Sequence, residues 1–267
     1  MNMISQRTYK TISFERKGKV LWCRLSRPEK RNLVDDDLHE ELSYLFEDVD
    51  RDKESDVIVL TGVGTSFCPG GDAKWMQQKL QNPDEFRDIL PDTKRIVQKQ
   101  LSMEKPIVCA INGHAAGLGA SIALMCDIIL AADDIKIGDP HVKMGFVAGD
   151  GGPVIWPHLI GMARAKEFLL MGDMIDAPDA QRMGLVNHVH PRHELETETQ
   201  RVAEKLASGA KWAVRWTKVL MNLPLKQAAN QIMDAAVAYE MMSNLTKDHA
   251  EAVTAFLEKR PAKFSGE

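Results

Sequence analysis

The chain has 267 residues, 44% of them hydrophobic and 27% charged, with a formal net charge of −4 at pH 7. That length is enough for a sizeable core, as one large domain or a domain plus an appendage, and the charge balance offers no electrostatic case for nucleic acid. Cys23, Cys68, Cys109 and Cys126 are scattered without metal-ligand spacing and read as reduced thiols of a cytosolic protein, no signal peptide opens the sequence, and no apolar run is long enough to span a membrane.

Residues 11–16 and 20–25 flank Lys17-Gly18-Lys19 and predict a hairpin. The loop over 26–32 is basic and carries Pro28; taken by itself it is a solvated loop. Leu38, Leu42, Leu45, Phe46 and Val49 then recur at helical spacing with acids on the other face, which predicts an amphipathic helix packed on a sheet. Residues 57–61 read as a strand, and Ser66-Phe67-Cys68-Pro69-Gly70-Gly71-Asp72 as a turn into a helix over 73–80. Residues 81–92 are polar and interrupted by Pro83 and Pro91, the pattern of a mobile segment beside a cleft. Helical character returns over 93–103, and Pro106 stops it.

The stretch over 105–133, KPIVCAINGHAAGLGASIALMCDIILAAD, organises the rest. A buried strand over 107–111 runs into a turn punctuated by Gly113, Gly117 and Gly119, and an apolar helix follows from Ala120. The free N–H groups of such a turn, with the helix dipole behind them, stabilise negative charge on a phosphate or an oxyanion. Alone, this is an ordinary tight turn; with the second strand-to-helix turn at 66–72, two N–H donors can aim at one developing oxyanion. Short strands follow over 128–131 and 135–137, and the loop GDPHVKMGFVAGDGG over 138–152 gathers His141 and Asp150 among glycines. Helices over 161–171 and 177–183 and a strand over 186–190 come next. From 194 onward the pattern is helical, over 194–208, 210–220, 225–245 and 246–259. Ile232, Met233, Ala236, Val237 and Tyr239 form an apolar stripe that calls for a partner.

RPEKRN at 27–32, FCPGGDAKWM at 67–76, NGHAAGLG at 112–119 and MGFVAGDGG at 144–152 resemble, in order and spacing over nearly the whole chain, the crotonase superfamily, the enoyl-CoA hydratase/isomerase group. The resemblance implies an α/β crotonase (ClpP-like) fold of repeated ββα units. It implies an acyl-CoA-binding core over 1–200 and a C-terminal helical region over 201–267 that makes a homotrimer or a dimer of trimers. The implied partner is an acyl-CoA thioester, with coenzyme A arriving as part of the substrate; nothing in the sequence calls for a metal, flavin or nicotinamide. No nucleic-acid or membrane partner is expected, and the expected location is cytoplasmic. By alignment with the family, the oxyanion donors are the backbone amides of Gly71 and Leu118. The coenzyme A contacts fall on Arg27, Lys30 and Arg31, on Gly70, Asp72, Ala73 and Lys74, and on Phe256, Lys259 and Lys263 of the tail.

The acid and base depart from the family pattern. An ordinary enoyl-CoA hydratase uses two glutamates, and the aligned positions here hold Ser121 and His141. Hydration needs one group to activate water and another to deliver a proton to the α carbon, and an unaided serine is a poor base at neutral pH. An imidazole, with an ordinary pKa of about 6.5, suits such transfer. Asp150 stands in or next to a column where a dehalogenase and dienoyl-CoA isomerases place a functional Asp, and is also an ordinary N-cap before Gly151. The expectation is therefore Asp150 as base and His141 as proton donor or orienting partner. His114 reads as a packed loop residue and Asp139 as a loop-orienting one; Trp75, Met76, Phe146 and Trp156 are candidates to shape the acyl pocket. The expected activity is that of an enoyl-CoA hydratase with non-standard acid/base residues. Enoyl- or dienoyl-CoA isomerisation, CoA-thioester hydrolase or lyase chemistry, and a non-catalytic acyl-CoA-binding scaffold stay open.

Overall fold

The computed structural model describes residues 3–4 and 7–267. A short antiparallel pair, β1 (Met3–Ile4) with β2 (Arg7–Thr8), precedes the predicted hairpin. In that hairpin β3 (Ile12–Lys17) turns at Gly18, φ 60°, into β4 (Val20–Leu25). Helix α1 (Asp36–Arg51) then covers the sheet, with the Asp35 side chain accepting from the Leu38 amide at its N-terminus. Its predicted face is buried: Leu38, Leu42, Leu45, Phe46 and Val49 are at most 2% exposed, each worth about 1.5–3 kcal/mol of burial.

The chain next alternates between two sheets. β5 (Val57–Gly62) and β6 (Ile107–Ile111) join β4 in parallel; every residue of both is buried, the pattern of strands covered on two faces. Between them lie α2 (Ala73–Gln81) and α3 (Pro83–Ser102). β7 (Ala115–Ala116) starts the smaller sheet, α4 (Leu118–Leu124) follows it, and β8 (Ile128–Ala132) returns to the large sheet. β9 (Lys136–Gly138) pairs with β7, and after α5 (Gly152–Ile160) and α6 (Met162–Met171) β10 (Met174–Asp176) closes the smaller sheet. Past α7 (Ala177–Met183), β11 (His188–His190) gives the large sheet its order β11-β8-β6-β5-β4-β3. Helices α8 (Leu195–Ala207), α9 (Lys211–Met221), α10 (Leu223–Asn244) and α11 (Lys247–Glu258) complete the chain. Among the described residues no helix is long and apolar enough to cross a membrane.

Three expectations are corrected. Residues 81–92 are not a loop, because α3 starts at Pro83, in the first turn, where the missing N–H has no intrahelical acceptor to satisfy. The exposed Pro91 is tolerated inside α3 because Phe86, Ile96, Val97 and Leu101 bury the other face. The α10 stripe finds much of its partner within the chain: Met233 and Ala236 are buried and α10 packs on α3 and α5, while Tyr239 is 59% exposed. Trp156 does not shape a pocket; it is fully buried on α5, 6.0 Å in ring-centroid distance from Phe168. Helix α5 itself was hidden in the sequence by Gly151 and Gly152, although Pro153 is an N-terminal helix signal.

Candidate active site

The two glycine turns are clipped together. The Cys68 amide donates to His114 O at 3.2 Å and the Ala116 amide to Cys68 O at 3.0 Å, a parallel bridge between the segments that lead into α2 and α4. Gly119 permits the approach, since a Cβ there would collide with the Cys68 carbonyl. Asp72 caps α2 by accepting from the amides of Lys74 (2.8 Å) and Trp75 (3.3 Å). Gly117, at φ 54° and ψ −127°, turns the chain into α4, whose first residue is Leu118. Gly71 and Leu118 line one cavity, and neither amide donates to an acceptor among the described residues.

The acid/base candidates meet in that cavity. The 3-10 turn His141–Met144 presents His141, and Asp150 stands just before α5; both line the wall. The Nδ1–H of His141 donates to Asp139 Oδ1, and its Nε2 lies 3.4 Å from Asp150 Oδ2. Ser121, on α4 and fully buried, donates its hydroxyl to Asp150 Oδ1 at 2.8 Å. Ser121 therefore stands behind Asp150 and is not part of the cavity wall. Burial opposes the charge on His141, but the carboxylates of Asp139 and Asp150 outweigh it and hold its pKa up to about 10. Burial pushes Asp150 up to about 6, against the pull of His141 and the Ser121 hydrogen bond.

Asp139, His141 and Asp150 offer ligand atoms within 4.8 Å of one another, a spacing that suits a cation. An imidazolium has no lone pair to give, so with His141 protonated the trio is one cation held between two carboxylates and not a ligand set.

The rest of the wall is mostly apolar or aromatic. Trp75, Met76, Phe86, Ile89 and Phe146 line it, and Phe146 stacks on His249 at 4.5 Å between ring centroids. His249 donates its Nδ1–H to Met144 O at 2.7 Å, and burial lowers its pKa. His39, in contact with Thr93 at 3.0 Å, is held neutral by burial, with its pKa near 4. His114 sits outside the site, exposed, and accepts from the Lys136 amide.

None of the residues expected to contact coenzyme A lines this cavity. Arg27 is 8% exposed, its guanidinium donating to Asp35 Oδ2 at 2.6 Å and Leu33 O at 2.8 Å. Lys30 is exposed and also reaches Asp35, at 3.2 Å; Arg31 is exposed at φ 55°. Gly70, Asp72, Ala73 and Lys74 form the turn and first residues of α2. Phe256, 63% exposed, and Lys259 sit at the end of α11, which packs on α2. Lys263, further on, is exposed.

Sequence reasoning missed Glu240. This α10 residue lines the cavity and is 6% exposed, and burial pushes its carboxyl up to about 8. A signal was present: Met233, Ala236, Glu240 and Asn244 fall at helical spacing on one face, and all four are buried.

A family model described as enoyl-CoA hydratase/isomerase matches residues 15–267. The chain is 33% identical to a crotonyl-CoA hydratase of Syntrophomonas wolfei over 258 residues, 96% of this chain and 98% of that protein. It is 30% identical to a 1,2-epoxyphenylacetyl-CoA isomerase of Escherichia coli over 257 residues, 96% of this chain and 98% of that one. Among solved structures, an enoyl-CoA hydratase/isomerase from Mycobacterium paratuberculosis superposes with a TM-score of 0.89 at 34% identity, covering 92% of this chain and 98% of that chain.

Proposed function

The chain belongs to the enoyl-CoA hydratase/isomerase family, and from that premise we propose that it adds water across the double bond of a 2-enoyl-CoA thioester with an acid/base set of its own. The thioester oxygen accepts from the amides of Gly71 and Leu118. Negative charge that develops there as water attacks meets two fixed donors, each worth about 3 kcal/mol by mutational precedent. Asp150 takes a proton from the attacking water, whose oxygen bonds to the β carbon. The π electrons move into the enolate, and the α carbon then takes a proton from the site. His141, held charged by Asp139, orients Asp150 and keeps it ionised near neutral pH. The observation that carries this reading is the 3.4 Å approach of His141 Nε2 to Asp150 Oδ2 in the cavity that holds the two unengaged amides.

Coenzyme A enters as part of the substrate, and the reaction needs no further cofactor. Its adenine and phosphate end lies along the loop of Lys30 and Arg31 and the α2 N-terminus, Gly70 to Lys74, with the tail residues Phe256 and Lys259 adding contacts. Arg27, tied to Asp35, shapes that loop from within. Residues 201–267 make a homotrimer or a dimer of trimers, a reading supported by exposed Trp212, Trp216, Leu220 and Met221 on α9. A cytoplasmic location is supported by four free cysteines, all buried.

A second reading, double-bond isomerisation, is favoured by the apolar and aromatic wall of the cavity that Asp150 faces, since one carboxylate can carry a proton along the acyl chain without water. Mass spectrometry on a panel of short, long, branched and aromatic 2-enoyl-CoA thioesters separates the two. Gain of one water, lost in Asp150→Asn, is the expected result. A migrated double bond without mass gain selects isomerisation. Tight binding with no change in any thioester, saturated and β-keto ones included, leaves an acyl-CoA-binding scaffold instead.

A further inference from the structure

Helix α10 brings a third acid to the cavity. Glu240 shares the wall with Asp150, Gly71 and Leu118, and its Oε2 is buried with no hydrogen-bond partner. Gly149, next to Asp150 in the chain, makes its room: a Cβ at 149 would stand 2.6 Å from Glu240 Oε2 and 2.9 Å from Ala236 O. The helix is also tied to the Asp150 loop. Ser243 donates its hydroxyl to Glu240 O at 2.8 Å and accepts from the Val147 amide at 3.1 Å. Glu240 is thus held in place by both its helix and the loop it faces.

Charge dictates its state. Asp139 and Asp150 already flank one imidazolium, and an ionised third carboxylate in this wall would be buried without a donor. Lys79, on the wall from α2, is engaged with Asp36 at 2.8 Å and Glu85 at 3.5 Å. His249 and His39 are disfavoured as cations by burial. A neutral carboxyl has a proton to give, and Glu240 Oε2 has no hydrogen-bond partner among the described residues.

We propose that Glu240 is the second catalytic carboxyl of the site, donating the proton that the α carbon receives while Asp150 takes one from water. The proposal rests on the hydration reading above. The step balances: water gives its oxygen to the β carbon and a proton to Asp150, and Glu240 gives its proton to the α carbon. Transfer of one proton from Asp150 to Glu240 then restores both groups. His141 keeps its proton throughout. The two carboxyls of an ordinary hydratase are thereby recovered, one of them from a different element of the fold.

Glu240→Gln keeps the shape of the side chain and a hydrogen-bond donor but carries no transferable proton; Glu240→Asp keeps the proton and shortens the reach. Hydration of the best 2-enoyl-CoA should fall at least about 100-fold in kcat for Glu240→Gln, with KM changed by no more than about threefold. Glu240→Asp should retain more activity than Glu240→Gln and keep the basic limb of the kcat profile, which Glu240→Gln loses. A purely structural role gives the opposite ranking, because glutamine is the closer isostere. Hydration by the unmodified protein with Glu240→Gln within about threefold of it overturns the role of Glu240 alone. No hydration by the unmodified protein overturns both this role and the reading it rests on.

Discussion

His141 Nε2 stands 3.4 Å from Asp150 Oδ2, while the other ring nitrogen is held by Asp139. The ring is therefore fixed at both ends, and Asp150 faces the cavity with one oxygen toward a cation and the other accepting from Ser121. In the proposed hydration, orientation and ionisation of Asp150 come from groups that need not touch a substrate.

Two substitutions separate the base from its support. Asp150→Asn should lower kcat by about 10²–10⁴-fold, the range for loss of a positioned general base. Ser121→Ala removes one hydrogen bond to an ionised carboxylate, worth about 1.5–3 kcal/mol, and the resulting loss of ionised Asp150 should lower kcat at neutral pH by roughly tenfold. Because that bond favours the ionised carboxyl, the acid limb of the rate profile should move to higher pH in Ser121→Ala. Rate profiles of both variants check this, and equal losses would show that Ser121 acts on substrate directly.

Stability should fall as pH rises through the neutral range. His141 has its folded pKa raised to about 10, so its contribution is complete below the unfolded value of about 6.5 and is lost as pH climbs toward 10. Glu240 and Asp150 are raised by burial, to about 8 and about 6; each favours the folded state while protonated and opposes it once ionised. All three have the same sign. His39 and His249, whose pKa values burial lowers, act with the opposite sign below about pH 6.5, and Lys105, held down to about 8, does so above that value. Thermal melts between about pH 6.5 and 8 should therefore show the falling Tm, with a shallower fall in Glu240→Gln. A flat profile in the unmodified protein would contradict the charge states assigned here.

How much of this was readable in the sequence follows from what each feature depends on. The hairpin at Gly18, the α1 stripe and the two glycine turns were legible because period and turn chemistry are local. The bridge at Cys68 and Ala115 that joins the turns was not, since it pairs residues 47 positions apart. Asp150 and His141 were legible as a reactive loop, whereas the assignment of Ser121 to a place behind Asp150 needed the direction of a helix face. Glu240 escaped because an acid on a long helix ordinarily faces water, and only tertiary packing against the Asp150 loop buries it. Pro83 and Pro91 misled because propensity was overridden by packing on both sides of α3.

The Leu118 amide can be removed without removing the fold. Leu118 is the first residue of α4, where proline is well tolerated, and Gly117 at φ 54° and ψ −127° mirrors the extended geometry that residues before proline favour. Leu118→Pro should therefore keep its circular dichroism spectrum and lose about 10²–10³ in kcat, as expected for one oxyanion donor. Turnover near that of the unmodified protein would remove Leu118 from the oxyanion hole.

Strand β6, which leads to the glycine turn before α4, is anchored from the C-terminal helices by Lys218. Its side chain is only 5% exposed, and Nζ donates to Lys105 O at 2.7 Å and meets Asp127 Oδ2 at 2.9 Å. The same Asp127 oxygen accepts from the Ile107 amide at 2.7 Å, so α9, the start of β6 and the turn before β8 share one polar knot. Lys218→Met keeps the length of the stem and leaves Asp127 without its cation and Lys105 O without its donor, a loss of about 2–4 kcal/mol. For a chain of this size that corresponds to a Tm lower by roughly 4–7 °C. Asp127→Asn in the same chain removes the stranded charge, so the double variant should be more stable than Lys218→Met alone. Additive losses would mean that the two groups act independently and that the knot stabilises β6 through its backbone bonds instead.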